Sequence, residues 1–146
     1  MNLSLRWRVY LDSNFFIRFV ESRDEALLSL IDQASADLAM LYTSELTLAE
    51  VLVDPIRLAD DARAAVYADL LRSDHLLEVV SVSRNILARS ADIRATIGNK
   101  LPDAIHIATA IASSCNVILS SDKRLKLPPG ITQIALEDTE NSDLWP

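Results

Sequence analysis

The segment Lys100-Leu-Pro-Asp103-Ala-Ile-His106-Ile-Ala-Thr-Ala-Ile-Ala112 constrains this chain more than any other. Pro102 suits the first turn of a helix, where its missing N–H has no intrahelical partner to lose. Asp103 beside it sits in the positive field of the unpaired N–H groups and is expected to stay ionised. The rest of the segment is almost wholly apolar, which predicts burial on several sides. A charged carboxylate at the mouth of a buried helix is either a cap or a ligand. Which of the two depends on whether other acids converge on it.

The flanking segments decide where those acids lie. Residues 8–12 (Arg8 to Asp12) read as a short buried strand that ends on an acid. A first helical segment covers 15–20, capped by Ser13 or Asn14. A second, over 24–35, repeats Ala26, Leu27, Leu30, Ile31 and Ala34 at helical spacing. Residues 38–42 form a second strand, and Thr43-Ser44 open a helix that stops near Asp54-Pro55. Another amphipathic helix runs from Ile56 or Arg57 to Leu71, and the valine-rich stretch 76–82 is a third strand. Ser83 caps a helix that reaches about Ile97 and is ended by Gly98-Asn99. After the Pro102 helix come a strand over 116–120, a turn at Pro128-Pro129-Gly130 and a final strand over 131–136. Strands alternating with helices predict an α/β fold, a mainly parallel sheet of four to five strands covered on both faces by right-handed crossovers.

In such sheets ligands bind at the carboxyl ends of the strands. Asp12 ends the first strand, and Asp122 follows the strand 116–120 by two residues. Glu50 lies early in the helix that leaves the second strand. The Asp103 helix leads into strand 116–120 and must run antiparallel to it. Its length of roughly 18 Å brings its N-terminus back to the same edge. Four acids therefore meet there. Like charges brought together repel and raise one another's pKa values, unless cations neutralise them. Oxygen donors with few histidines suit magnesium or manganese rather than zinc. Carboxylate-bound divalent ions clamp the attacking and leaving oxygens in phosphodiester hydrolysis.

Val9-Tyr-Leu-Asp12-Ser-Asn14, Thr43-Ser44 with Glu50-Val-Leu, the Leu101–Ala110 segment and Ile118-Leu-Ser-Ser-Asp122 together resemble the PIN domain, and within it the VapC-type toxins of toxin–antitoxin pairs. The resemblance extends from Val9 to about Leu136. It implies a three-layer PIN-like fold and a Mg2+- or Mn2+-dependent ribonuclease, inhibited by a cognate antitoxin and usually a homodimer. The family's metal-site and catalytic acids fall on Asp12, Glu50, Asp103 and Asp122. Asn14 and Ser121 match polar positions that orient water, metal or phosphate. Ser120-Ser121 departs from the Thr-Asn or Ser-Asn that often precedes the last acid. Lys100, Lys123 and Arg124, with Arg18, are the expected phosphate contacts.

Each acid also has a structural reading. Glu50 follows Thr47 at capping-box spacing, Asp103 can serve the helix terminus, and Asp122 can be a loop acid. His106, three residues beyond Asp103, is within reach of the site, and a packing role competes with a catalytic one. A net charge of −7 opposes nucleic-acid binding through a broad basic face. However, four of the 21 acids fall in the last ten residues, which leaves 17 against 14 bases in the remainder. Two glycines cannot build a phosphate-cradling loop or a dinucleotide fingerprint. Cys115, in an apolar run, does not suggest a thiol nucleophile, and Asp12-Ser-Asn14 lacks the second acid of an Asp-x-Asp motif. A single cysteine, no membrane-length apolar run and an N-terminus of Arg6-Trp7-Arg8 with no signal-like core predict a soluble cytoplasmic protein with no membrane partner. One PIN-like domain over 1–136 with a solvated acidic tail over 137–146 is expected. The competing reading is a non-catalytic module that binds RNA or a partner and holds a metal only for structure.

Overall fold

The computed structural model describes residues 7–146, so the N-terminal flank through Arg6 lies outside the described residues. Five strands form one parallel sheet: β1 (Trp7–Leu11), β2 (Ala39–Ser44), β3 (Leu77–Val80), β4 (Val117–Leu119) and β5 (Thr132–Ile134). Their order is β3-β2-β1-β4-β5. The chain builds outward from β1 to β3, then crosses back to place β4 on the other side of β1. The boundary between β1 and β4 is thus the point where the winding reverses.

The helices are α1 (Ser13–Ser22), α2 (Glu25–Ser35), α3 (Glu45–Val51), α4 (Val53–Arg57), α5 (Asp61–Leu70), α6 (Arg84–Thr96) and α7 (Leu101–Ala112). Strand alternation sorts the core into two layers. Val9, Leu11, Leu41, Val79, Val117 and Leu119 point toward Phe15, Phe16, Leu27, Leu30 and Tyr67 of α1, α2 and α5. Tyr10, Tyr42 and Ile118 point the other way, toward Ile86 and Ile93 of α6 and Ala104, Ile107, Ala108 and Ala110 of α7. Val117, Ile118 and Leu119 are all buried, as expected for a central parallel strand covered on both faces. Among the described residues no helix is long and apolar enough to cross a membrane.

Four local expectations change. The cap of α1 is Asp12 rather than Ser13 or Asn14; its carboxylate accepts from the Phe15 amide at 3.2 Å. The helix after β2 does not stop at Asp54-Pro55 but breaks at Leu52. Pro55 falls in the first turn of the short α4, where its missing N–H costs nothing. A second break follows at Ala59, which adopts φ 51°, and Asp60 caps α5 by accepting from the Arg63 amide at 3.1 Å. The expected single helix to Leu71 therefore begins only at Asp61. Finally, the acids of the tail face solvent, but the tail itself packs. Thr139 is buried, and Trp145 sits edge-on to Trp7 with ring centroids 5.3 Å apart while its Nε1 donates to the Thr139 carbonyl at 3.1 Å.

Candidate active site

A cleft opens at the carboxyl edge of the sheet, over the β1–β4 boundary. Asp12, Asn14, Glu50, Asp103 and Asp122 all line it, together with Tyr10, Ser13, His106 and Ser120. Each acid arrives on a different element. Asp12 directly follows β1, Glu50 rides on α3, Asp103 lies in the first turn of α7 and Asp122 in the loop after β4. The antiparallel run of α7 against β4 returns Asp103 to this edge, as the helix length requires.

Other expected residues lie outside the cleft. Ser121 turns away: its hydroxyl donates to Glu137 Oε2 at 2.7 Å and accepts from the Leu136 amide at 2.9 Å. Ser120, buried, takes the cleft position instead. Lys100, Lys123 and Arg124 are exposed and do not belong to the lining. Arg124 reaches back to Asp122 Oδ1 at 3.2 Å, and Arg18 stands 3.8 Å from Glu137. The capping-box reading of Glu50 does not hold. Ser44 caps α3, and Thr47 exchanges its hydrogen bond with Thr43 at 2.8 Å.

The four carboxylates divide into two pairs by environment. Burial alone would raise Glu50, but the hydrogen bonds of His106 and of the Ser13 hydroxyl outweigh it and hold the carboxyl below its ordinary value. Asp122 is also held low, first by the Arg124 amide and then by the Arg124 side chain. Asp12 moves the other way: burial raises it despite hydrogen bonds from the Ser120 hydroxyl and the Phe15 amide. Asp103 is raised by burial and by the charges of Asp122 and Glu50. The helix-terminus field expected to favour its ionised form is thus outweighed. Among the described residues neither Asp12 nor Asp103 has a salt-bridge partner.

The donor set fits a hard divalent cation. It consists of carboxylate and hydroxyl oxygens, with one imidazole already turned onto Glu50. The only thiol, Cys115, is buried at the amino end of β4 and pushed up to about 12 by burial, so it is neither ligand nor nucleophile here. The acids are not drawn to a single point. Among the described residues no three Asp, Glu, His or Cys side chains form a compact ligand group; Glu50 and Asp122 are turned onto His106 and Arg124.

Sequence reasoning missed two supports of this edge. Gln133 on β5 donates to the carbonyls of Ser120 at 2.8 Å and Asp122 at 2.9 Å, which fixes the Asp122 loop from below. Tyr10 brings its hydroxyl to 2.5 Å from His106 Nδ1. The available signal for Tyr10 was its parity with Asp12, since residues two apart on a strand share a face.

Comparison with known proteins agrees with the motif reading. Residues 9–130 match the PIN domain, and no curated protein matches the chain by sequence. Among solved structures, VapBC2 from Rickettsia felis bound to a DNA fragment from their promoter is 15% identical, covering 88% of this chain and 98% of that one, with a TM-score of 0.67. VapC20 from Mycobacterium tuberculosis, a Sarcin-Ricin loop cleaving toxin, is 14% identical over 80% of this chain and 92% of its own, with a TM-score of 0.63. A toxin-antitoxin complex from Klebsiella pneumoniae gives 21%, 80% and 88%, and 0.60. At these identities the likeness is one of fold. The sequence match runs from β1 to the turn before β5 and includes Asp12, Glu50, Asp103 and Asp122, so this chain belongs to the PIN domain family.

Proposed function

We propose that this protein is a metal-dependent endoribonuclease, the toxin of a toxin–antitoxin pair, which hydrolyses RNA phosphodiester bonds. One observation carries the reading: four carboxylates from four separate elements line one cleft at the winding reversal of a PIN-family sheet. Asp12 and Asp103, the acids without a salt-bridge partner, would hold Mg2+ or Mn2+, with Glu50 and Asp122 completing its surroundings directly or through water. When bound, such an ion activates water and offsets phosphate charge. The chain's own residues do the positioning. Ser13 and His106 orient Glu50, while Ser120 and Gln133 order the loop that carries Asp122. Asn14 at the cleft wall and the exposed cations Lys100, Lys123 and Arg124 would bind flanking phosphates, in contacts that are sequence-independent and sensitive to salt. Arg18 can join them, because its exposed pairing with Glu137 is worth little.

An antitoxin partner is supported by an apolar groove between α1, α2 and α5, lined by Phe19, Val20, Leu28, Val66 and Leu70. Leu28 and Val66 are 43% and 49% exposed there, as suits the seat of an amphipathic helix. A homodimer, read from the family resemblance, predicts a two-chain mass in size-exclusion light scattering.

The test is incubation of the purified protein with RNA in magnesium, in manganese and in chelator. Cleavage is expected only with the ions, and Asp103→Asn should lower it by on the order of 10²–10³-fold while leaving the circular dichroism spectrum unchanged. Parental cleavage by Asp103→Asn, or cleavage in chelator, would overturn the scheme. RNA binding without cleavage under either ion would assign the non-catalytic reading instead.

A further inference from the structure

His106 and Tyr10 belong to no part of the acid set, yet both reach it from the core. Tyr10 is fully buried and His106 is 7% exposed. The Tyr10 hydroxyl lies 2.5 Å from His106 Nδ1, and His106 Nε2 lies 2.5 Å from Glu50 Oε1. Ser13 Oγ donates to the same Oε1 at 2.7 Å. The placement follows from the two elements that carry Asp12 and Asp103. Tyr10 on β1 and Asp12 just past its end line the same cleft as Asp103, His106 and Ile107, which follow one another at helical spacing along α7.

A phenol is neutral at physiological pH, and burial favours that form, so the Tyr10 O–H is available to donate. With Nδ1 accepting, a neutral imidazole carries its hydrogen on Nε2 and donates it to Glu50. Oε1 then receives two donors, Ser13 and His106. Oε2 is left with none among the described residues.

We propose that Tyr10 and His106 are positioning residues: a hydroxyl–imidazole–carboxylate chain that saturates Glu50 Oε1 and presents Oε2 to the divalent cation. The proposal rests on the metal-dependent reading of the cleft. A chain that exists only for packing would leave metal affinity untouched, whereas outer partners that orient a ligand alter it by about 10–100-fold.

The test uses full-length protein with manganese as the probe. Titration calorimetry should show His106→Leu binding Mn2+ about 10–100-fold more weakly than the parent, with kcat for RNA reduced and KM unchanged. His106→Gln, whose side-chain amide offers an N–H near the place of Nε2, should recover most of both losses. Tyr10→Phe should weaken Mn2+ binding by about tenfold. With only His75 and His106 in the chain, nitrogen-15 spectra of labelled histidine read the tautomer directly. His106 should be the Nε2–H form in the parent and shift toward Nδ1–H in Tyr10→Phe. If His106→Leu does not fold, Tyr10→Phe and His106→Gln carry the comparison, since each removes few atoms. An Nδ1–H parent, or a folded His106→Leu with parental Mn2+ affinity, overturns the proposal alone. A parent that binds Mn2+ without cutting RNA ends only the nuclease reading and leaves the titrations to decide this one. A parent that binds no divalent ion overturns both.

Discussion

Asp12 holds two positions at once, and they pull on its proton in opposite directions. As the cap of α1 its carboxylate accepts the Phe15 amide, which favours the charged form. As a buried wall of the cleft it loses water, and this effect is the larger, so its folded pKa lies above the ordinary value. A carboxyl raised on folding binds its proton more tightly in the native state. The stability it contributes is therefore present below the unfolded pKa and lost as pH rises through the folded one. At neutral pH the charged Asp12 is a burden on the fold in the absence of a cation. Asn caps a helix as well as Asp does but does not titrate. Asp12→Asn in chelator is accordingly expected to melt above the parent at neutral pH. The advantage should vanish as pH falls through the carboxylate range, where the parent becomes protonated. Thermal melts across that range check the sign: a variant less stable than the parent at neutral pH would contradict it. The same variant should not cleave RNA.

At the scale of elements, the site depends on how firmly neighbours hold the ends of β1, β4 and α7. Gly98 and Asn99, at φ 101° and 89°, end α6 and turn the chain into α7. Asn99 then exchanges two hydrogen bonds with the Lys126 backbone, at 2.9 and 3.0 Å, which ties the start of α7 to the loop after Asp122. Gln133 holds that loop from β5. Gln133→Leu keeps the bulk but strips the donor from two carbonyls. It should destabilise the fold by about 1–3 kcal/mol and speed amide hydrogen exchange selectively over residues 120–125. Urea unfolding and exchange mass spectrometry measure the two effects, and uniform exchange would remove Gln133 from this role. Much of this layer was legible in the sequence. The alternation of strands and helices, the Ser83 cap, the Gly98-Asn99 stop and the return of Asp103 to the sheet edge follow from periodicity and local chemistry. The break over residues 52–60 was not, because Pro55 reads as a terminator and here occupies a first turn. The Tyr10–His106–Glu50 chain was not either. Its members stand 96 and 56 positions apart, and only tertiary packing sets such distances.

For the whole molecule, the proposed nuclease activity raises the question of how a chain of net charge −7 and pI near 4.7 would handle a polyanion. The charge is unevenly placed. Four acids lie in the last ten residues, where they face solvent, and four line the cleft. The exposed Lys100, Lys123 and Arg124 stand within three positions of Asp103 or Asp122 in the chain. Under the proposed metal-dependent function, bound divalent ions would reverse the local charge balance where phosphate would sit, and would offset the cost of charging the buried Asp12 and the Asp103 that Asp122 and Glu50 crowd. Under that proposal, metal binding and folding are linked. An ion that binds only the native state stabilises it by about 2.7 kcal/mol when its free concentration is about 100 times Kd. For a chain of this size that is a rise in melting temperature of roughly 5–10 °C. Titrating manganese into the protein should raise the melting temperature progressively, and chelator should reverse it. Asp12→Asn should start from a higher melting temperature and gain little from the ion. Asp122→Asn, whose acid is already paired with Arg124, should start near the parent and keep part of the gain. A melting curve indifferent to manganese in the parent would sever the linkage and leave the carboxylates without the cation that justifies their company.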